Sequence, residues 1–338
     1  MVRSPIELPK IVSITPLGNL DPSGHVFPTD HIYINVPGSQ RQHESTPVVS
    51  PGAIEVRRIA SQEKLGPDGF TDHRIDFVVC GTFGGHFAHI TGIADRLASA
   101  LSAAGPHCQE RTVAGSTFRT CSADLRLALA LGEPVGTTNP LATGLDFGAY
   151  DTASRLVFAA PGRYATNALL PNAICPLDLF APEVRTALYA KLGASDPVRT
   201  RSVEPRCGEV MQDRPGTAQG NWFKADRLTY PEDPHLAFVH DNVDPTVPVL
   251  SVGTSVPGLS PAAYRFRRAT AERTGRDPAE IAPGDAIWCF DGLQGRSPVP
   301  GRILLRLPTA TTLDVEYQAE SGCAATPWTL SAPARFER

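Results

Sequence analysis

The sequence contains no uninterrupted apolar run near the roughly 18 residues that a membrane-spanning helix needs, so no membrane span is expected. No cluster of Lys or Arg stands out, and the net charge is −4 with a pI near 6.1; a dedicated nucleic-acid binder is excluded on that balance. There is no Cys-x-x-Cys pair, which removes zinc ribbons and thioredoxin-like redox sites. Gly-x-Ser-x-Gly is missing too, and Gly253-Thr-Ser255-Val-Pro257 reads as a turn, not a nucleophile elbow. Neither a phosphate-binding loop nor a Gly-x-Gly-x-x-Gly before a helix is present, leaving nucleotide binding without support. Residues 1–10 are polar and proline-broken and hold no apolar segment of a secretory signal.

Turn formers are abundant instead. The 338 residues include 32 prolines and 29 glycines, which argues against a helical bundle and for short strands joined by many turns. Hydrophobic residues at 41% are enough for a packed core. Short β-branched or aromatic runs bounded by Gly, Pro or Asp predict strands at 11–14, 31–34, 53–59, 75–79, 125–131 and 145–150. A second series is predicted at 236–239, 247–252, 286–290, 302–307 and 312–317. Helical periodicity predicts helices at 91–104, with Leu97 inward, and from Pro182 to Leu192. A third helix is expected at 261–274, with Arg265, Arg267, Arg268 and Arg273 against Glu272 on a solvated face. The expected fold is mainly β: a sheet domain over 11–155, a helical connector over 156–203, and a β-rich barrel or sandwich over 204–338.

Seven cysteines are present. Three pairs of sequence neighbours, Cys108 with Cys121, Cys175 with Cys207 and Cys289 with Cys323, are candidate bridges, although connectivity does not follow from sequence and seven reduced thiols remain the alternative. Cys80, inside an apolar run, reads as a buried free thiol. Candidate bridges and only two methionines lean toward an exported, extracytoplasmic protein.

The nine histidines stand beside carboxylates and glycines. The phrases are Gly24-His25-Val-Phe-Pro-Thr-Asp30-His31-Ile-Tyr-Ile-Asn35, Gly84-Gly-His86-Phe-Ala-His89-Ile90 and Pro234-His235-Leu-Ala-Phe-Val-His240-Asp241. Singly, each reads as a turn or surface histidine; imidazoles with carboxylates are also what zinc sites use. In their order, residues 17–152 resemble the lysostaphin-type zinc endopeptidases. The matching pieces are His31 to Asn35, Val49-Ser-Pro-Gly-Ala-Ile-Glu-Val56, Phe87-Ala-His89-Ile90, Gly132 to Gly136 and Gly144-Leu-Asp-Phe-Gly148. The resemblance implies a β-sheet fold with a histidine-lined groove.

It also implies ligands and catalytic groups, and here the chain departs from the pattern. His31 stands at the first zinc ligand, Asn35 replaces the aspartate, and Asp146 replaces the ligand histidine near the end of the motif. His89 stands at one catalytic histidine, while Gly144 replaces the other. A neutral amide is a poor zinc ligand, and one His with one Asp does not close a site. An alternative counterpart at Pro234-His235-Leu-Ala-Phe238 also lacks the ligand histidine. Asp30 is not expected to compensate, since neighbours on a strand face opposite ways unless a bulge intervenes.

The leading expectation is therefore an exported, non-catalytic protein whose groove binds a peptide or glycan through His31, Asn35, His89 and Asp146. In this reading the resemblance leaves His89 as a vestigial catalytic candidate, His31 and Asp146 as vestigial metal ligands, and no resident cofactor. One alternative is a metal-dependent hydrolase with a rebuilt zinc site, its third ligand drawn from His25, Asp30 or His86. Another is a structural or assembly component. Asp241, Asp244 and Asp291 with Trp222 and Trp288 are weighed as a sugar site, with scattered acids and buried tryptophans the blander reading. The segment His240 to Asp244 lacks calcium-loop spacing and reads as a turn closed by its own side chains.

Overall fold

The computed structural model describes every residue except 23, 40–41, 67–68, 114–115, 143, 166, 168, 228–231, 270–272, 296–297 and 320–321. Strand accounts for 42% of the chain and helix for 11%, so the fold is mainly β. Two compact units form. One comprises Met1–Pro16, Asp30–Arg155 and Asn172–Cys207; the other comprises Leu17–Thr29, Leu156–Pro171 and Gly208–Arg338. The segment expected as a connector is thus shared between them, 156–171 going to the second unit and 172–203 to the first.

In the first unit the elements are β1 (Ser13–Thr15), β2 (His31–Asn35), β3 (Gly38–Ser39), β4 (Gln42–His43), β5 (Pro47–Val49), β6 (Ile54–Lys64), β7 (Phe70–Cys80) and β8 (Phe83–Thr91). Then come α1 (Asp95–Ala103), β9 (His107–Val113), β10 (Ser116–Leu129), β11 (Pro134–Thr138), β12 (Leu145–Asp151), β13 (Ala173–Ile174) and α2 (Pro182–Tyr189). An antiparallel sheet runs β1-β2-β12-β8-β7-β6-β10-β9, with β13 beside β12 and β11 between β5 and β8. Alternation along its central strands turns Ile32, Ile34, Leu145, Phe147, Phe87 and Ile75 into one buried face. Phe87 anchors it, its ring 4.9 Å from Phe77 and 5.0 Å from Phe147. The opposite face carries His31, Tyr33, His86, Ala88, Asp146, Gly148 and Tyr150.

Two helices sit where periodicity predicts them, α1 burying Leu97 and α2 starting with Pro182 at its first turn and burying Leu188. The three candidate bridges are disulfides; Cys108–Cys121 joins directly opposed residues of β9 and β10. Cys80 corrects expectation. It is a free thiol but an exposed one, because β7 leaves its partner's register at Val78 and ends at the Gly81 turn.

The second unit holds β14 (Gly220–Lys224), β15 (Leu236–His240), β16 (Pro248–Val252), β17 (Ala262–Arg265), β18 (Ile287–Asp291), β19 (Arg302–Thr309), β20 (Thr312–Gln318) and β21 (Ala334–Glu337). They pair in the order β17-β16-β15-β14-β21-β20-β19-β18, and side chains from all eight meet in one core around Trp222, Phe238, Phe290 and Phe336. One core shared by every strand requires the sheet to curl upon itself. The segment Leu17–Thr29 completes this unit: Phe27 is buried against Phe223 at 5.0 Å and stacked on His235 at 5.5 Å, and its amide donates to Glu232.

Among the described residues of 261–274 the expected arginine-rich helix is not formed. Ala262 and Tyr264 point inward with a period of two, so Ala262–Arg265 forms β17 and pairs with β16. Arg265 bonds Asp241, and Arg268 bonds Asp277 and Glu280. Glu272 lies outside the described residues. On the opposite face of the sheet, fully buried Asp314 lies in a cross-strand row between Arg306 and Arg335 and bonds both.

Candidate functional site

Three neighbouring strands, β2, β12 and β8, build the site of the first unit. Their register sets His31 opposite Gly148, Gly148 opposite His86, and Asp146 between Tyr33 and Ala88. Gly148 leaves room for an imidazole: a Cβ there would fall inside the His86 ring. The His31 and His86 rings therefore meet across the glycine, centroids 5.7 Å apart.

His89 joins them through a bulge. Between the pairs His73–Ile90 and Ile75–Phe87, the single residue Arg74 faces both Ala88 and His89. His89 takes the left-handed conformation, φ 60°, which costs a non-glycine residue about 1–2 kcal/mol. The irregularity turns its imidazole away from the apolar face, and Ile90 resumes the buried position.

The outcome is one carboxylate oxygen between two imidazoles. Asp146 Oδ2 lies 3.4 Å from His31 Nε2 and 3.3 Å from His89 Nε2. Each imidazole is gripped from behind: Asp30 Oδ1 is 2.9 Å from His31 Nδ1, and Asp72 Oδ2 is 2.7 Å from His89 Nδ1. Asp146 Oδ1 is buried without a hydrogen-bond partner among the described residues. Asp30 reaches His31 although they are neighbours, because Asp30 precedes β2 and is free of the strand's alternation.

A second layer fixes protons. Tyr150 donates its hydroxyl proton to Asp30 Oδ2 at 3.1 Å and stands 2.9 Å from His86 Nδ1. With that proton directed at Asp30, the hydroxyl oxygen is left to accept from His86 Nδ1–H, and Nε2 of a neutral His86 keeps its lone pair. Burial, then the Arg74 guanidinium, holds the His86 pKa well below the usual value, while burial and Asp30 keep the Tyr150 phenol protonated. For His31 and His89 burial opposes charge, but carboxylates prevail. Asp146 and Asp30 raise the His31 pKa; Asp146 and Asp72 raise that of His89 to about 9.

Of the residues singled out by sequence, His31, His89 and Asp146 are brought together. Asn35 is directed elsewhere, donating to Ser13 and Thr15 on β1. His25 and His235 belong to the second unit. Asp30, Asp72, His86 and Tyr150 complete the cluster, and the period of two along Asp146-Phe-Gly148-Ala-Tyr150 is the signal that could have found Tyr150. The sugar-site constellation is not assembled. Trp222 is buried with its indole N–H on Ala218, Asp291 accepts the Cys323 amide, and Asp241 closes a turn over Val243 and Asp244. Among the described residues no group of three or more His, Cys, Asp or Glu side chains is placed so that it could hold a metal ion as it stands. The chain matches no protein-family model, no curated protein and no solved structure.

Proposed function

We propose that the first unit is a metal-dependent hydrolase whose divalent ion, zinc by its donor chemistry, is held by His31 Nε2, His89 Nε2 and Asp146 Oδ2. The observation that carries this reading is the pair of distances on Asp146 Oδ2, 3.4 and 3.3 Å. Neighbouring ligands of a tetrahedral ion with bonds of about 2.0–2.1 Å stand about 3.3–3.4 Å apart, whereas a charge-assisted hydrogen bond draws in to about 2.7–2.9 Å. The back nitrogens do show that shorter separation, to Asp30 and Asp72. A carboxylate behind each ligand histidine is the usual support of a metal site, since it fixes the ring and its Nδ1–H, so that Nε2 offers its lone pair once its own proton gives way to the ion. The buried, unpartnered Asp146 Oδ1 further fits a carboxylate that serves a cation.

Such an ion would supply a water of lowered pKa and polarise a substrate carbonyl. The chain's own residues do the rest. Asp30 and Asp72 hold the Nδ1 protons and so orient Nε2 inward. Tyr150 and Arg74 keep Asp30 in place, Tyr150 by its hydrogen bond and Arg74 through its contact with Tyr150. His86, held neutral by burial beside Arg74, bonds Tyr150 and packs its ring against that of His31, which helps fix the wall of the site. Three disulfides favour an oxidising, extracytoplasmic setting.

The second reading, a groove that binds peptide or glycan without turnover, is favoured by the lack, among the described residues, of any group of three His, Cys, Asp or Glu side chains placed to hold a metal ion. Zinc loading followed by elemental analysis separates the two. About one zinc per chain, lost in His31→Ala and in Asp146→Asn, is expected for the hydrolase, together with cleavage of internally quenched peptides. No stoichiometric zinc in the wild type overturns it.

A further inference from the structure

A cleft of about 540 Å³ opens on the site face of the sheet and starts at Asp72 and Ala88, the residues beside His89 and opposite Asp146. Strand register extends it away from the histidines in a single cross-strand row: Asp72 opposes Gln62, Gln62 opposes Thr120, and Thr120 opposes Gln109. Three strand spacings of about 4.8 Å make this row about 14 Å long, the reach of about four residues of extended peptide. Its floor is low at Ala88, and its walls present amide and hydroxyl groups able to pair with backbone N–H and C=O. Among the described residues no Phe, Tyr or Trp lines it, so a sugar ring finds no aromatic face there to stack on.

Charge distinguishes the far end. Glu110 is engaged by Arg119 at 2.8 Å and Arg74 by Asp76 at 2.8 Å, and Asp72 is held by His89. Arg111, on the edge strand β9, lines the cleft without an ion pair among the described residues. Resting on the hydrolase reading for the identity of the reacting end, we propose that the cleft takes an extended acidic peptide. Its carboxylate, an acidic side chain or a chain terminus about four residues from the bond attacked, pairs with Arg111.

The test uses the full chain and fluorescein-labelled hexapeptides carrying Glu, Gln or Lys at each position in turn. Anisotropy is read on metal-free protein and cleavage on zinc-loaded protein. Glu at one position is expected to bind about fivefold more tightly than Gln, the scale of an exposed ion pair. Arg111→Glu, on an exposed residue and with unchanged thermal unfolding, is expected to reverse the preference toward Lys. Equal binding of the Glu and Gln peptides at every position, no binding of any peptide, or a preference unaltered in Arg111→Glu overturns the proposal. A Glu preference in binding with no cleavage leaves it standing and overturns the hydrolase reading alone.

Discussion

Asp72 Oδ2 lies 2.7 Å from His89 Nδ1, and that bond decides which nitrogen of His89 faces Asp146. The two residues stand on adjacent strands, β7 and β8, and meet because the bulge at Ala88 and His89 swings the imidazole over β7. Asp30 does the same for His31 from the end of a loop. Two unrelated pieces of backbone thus deliver one arrangement, carboxylate behind imidazole, to both sides of Asp146.

Asp72→Asn is expected to weaken zinc binding by about 10–100-fold, the usual effect of losing a carboxylate behind a ligand histidine. Competition with a chromogenic chelator measures it, with the exposed Asp124→Asn as the control. The same variant changes the metal-free protein. The pKa of His89 is raised to about 9, so the stability it contributes is complete below the unfolded value near 6.5 and is lost as pH rises through about 9. Asp72→Asn should lower that pKa in an NMR titration and flatten the decline of thermal stability between those limits.

At His89 the ordinary ranking of alanine over glycine inside a strand should invert. Both substitutions remove the imidazole, but only glycine accepts φ 60° without strain. His89→Gly is expected to be more stable than His89→Ala by about 1 kcal/mol in urea unfolding, with zinc binding lost in both.

Gly148→Ala should disturb the site without touching a ligand atom. The new methyl would collide with the His86 ring, and overpacking of this kind costs about 1–3 kcal/mol. A lower melting temperature and altered His86 ring resonances, from loss of its bond to Tyr150, are the expected signs.

The second unit offers a test at acid pH. Asp314 is fully buried between Arg306 and Arg335; burial alone would raise its pKa, but the two guanidinium groups hold it below the ordinary value. Its contribution is therefore present above the unfolded pKa near 3.9 and is lost as pH falls through the lower folded value. Asp314→Asn should lower stability at pH 7 and reduce the slope of the acid limb below pH 4, followed by circular dichroism.

Much of the β character was legible because apolar period-two runs bounded by turn formers carry their own signal, as at Ile32-Tyr-Ile34 and Leu304-Leu-Arg-Leu307. Strand β8 was not, since Phe83-Gly-Gly-His-Phe-Ala-His-Ile-Thr91 contains glycines that weaken strand propensity and polar residues whose burial depends on partners far away in sequence. The 261–274 stretch misled because arginines spaced like a helix face are equally tolerated on a strand's outer side. At the site, His31, His89 and Asp146 were singled out by their order, but nothing local reveals that Asp72 stands behind His89. That contact depends on the register of β7 with β8 and on a backbone conformation at His89 that histidine seldom adopts.

The placement of Phe27 has a consequence for biosynthesis. Its amide bonds Glu232, 205 residues further along, and its ring waits for Phe223 and His235. At about 5–20 residues per second, a ribosome leaves Leu17–Thr29 without its partners for about 10–40 s. Throughout that interval the nascent chain displays Val26 and Phe27, both buried in the folded unit, to any holdase that docks on apolar side chains. Chains cut short before Glu232 would leave this segment without the partners that cover it.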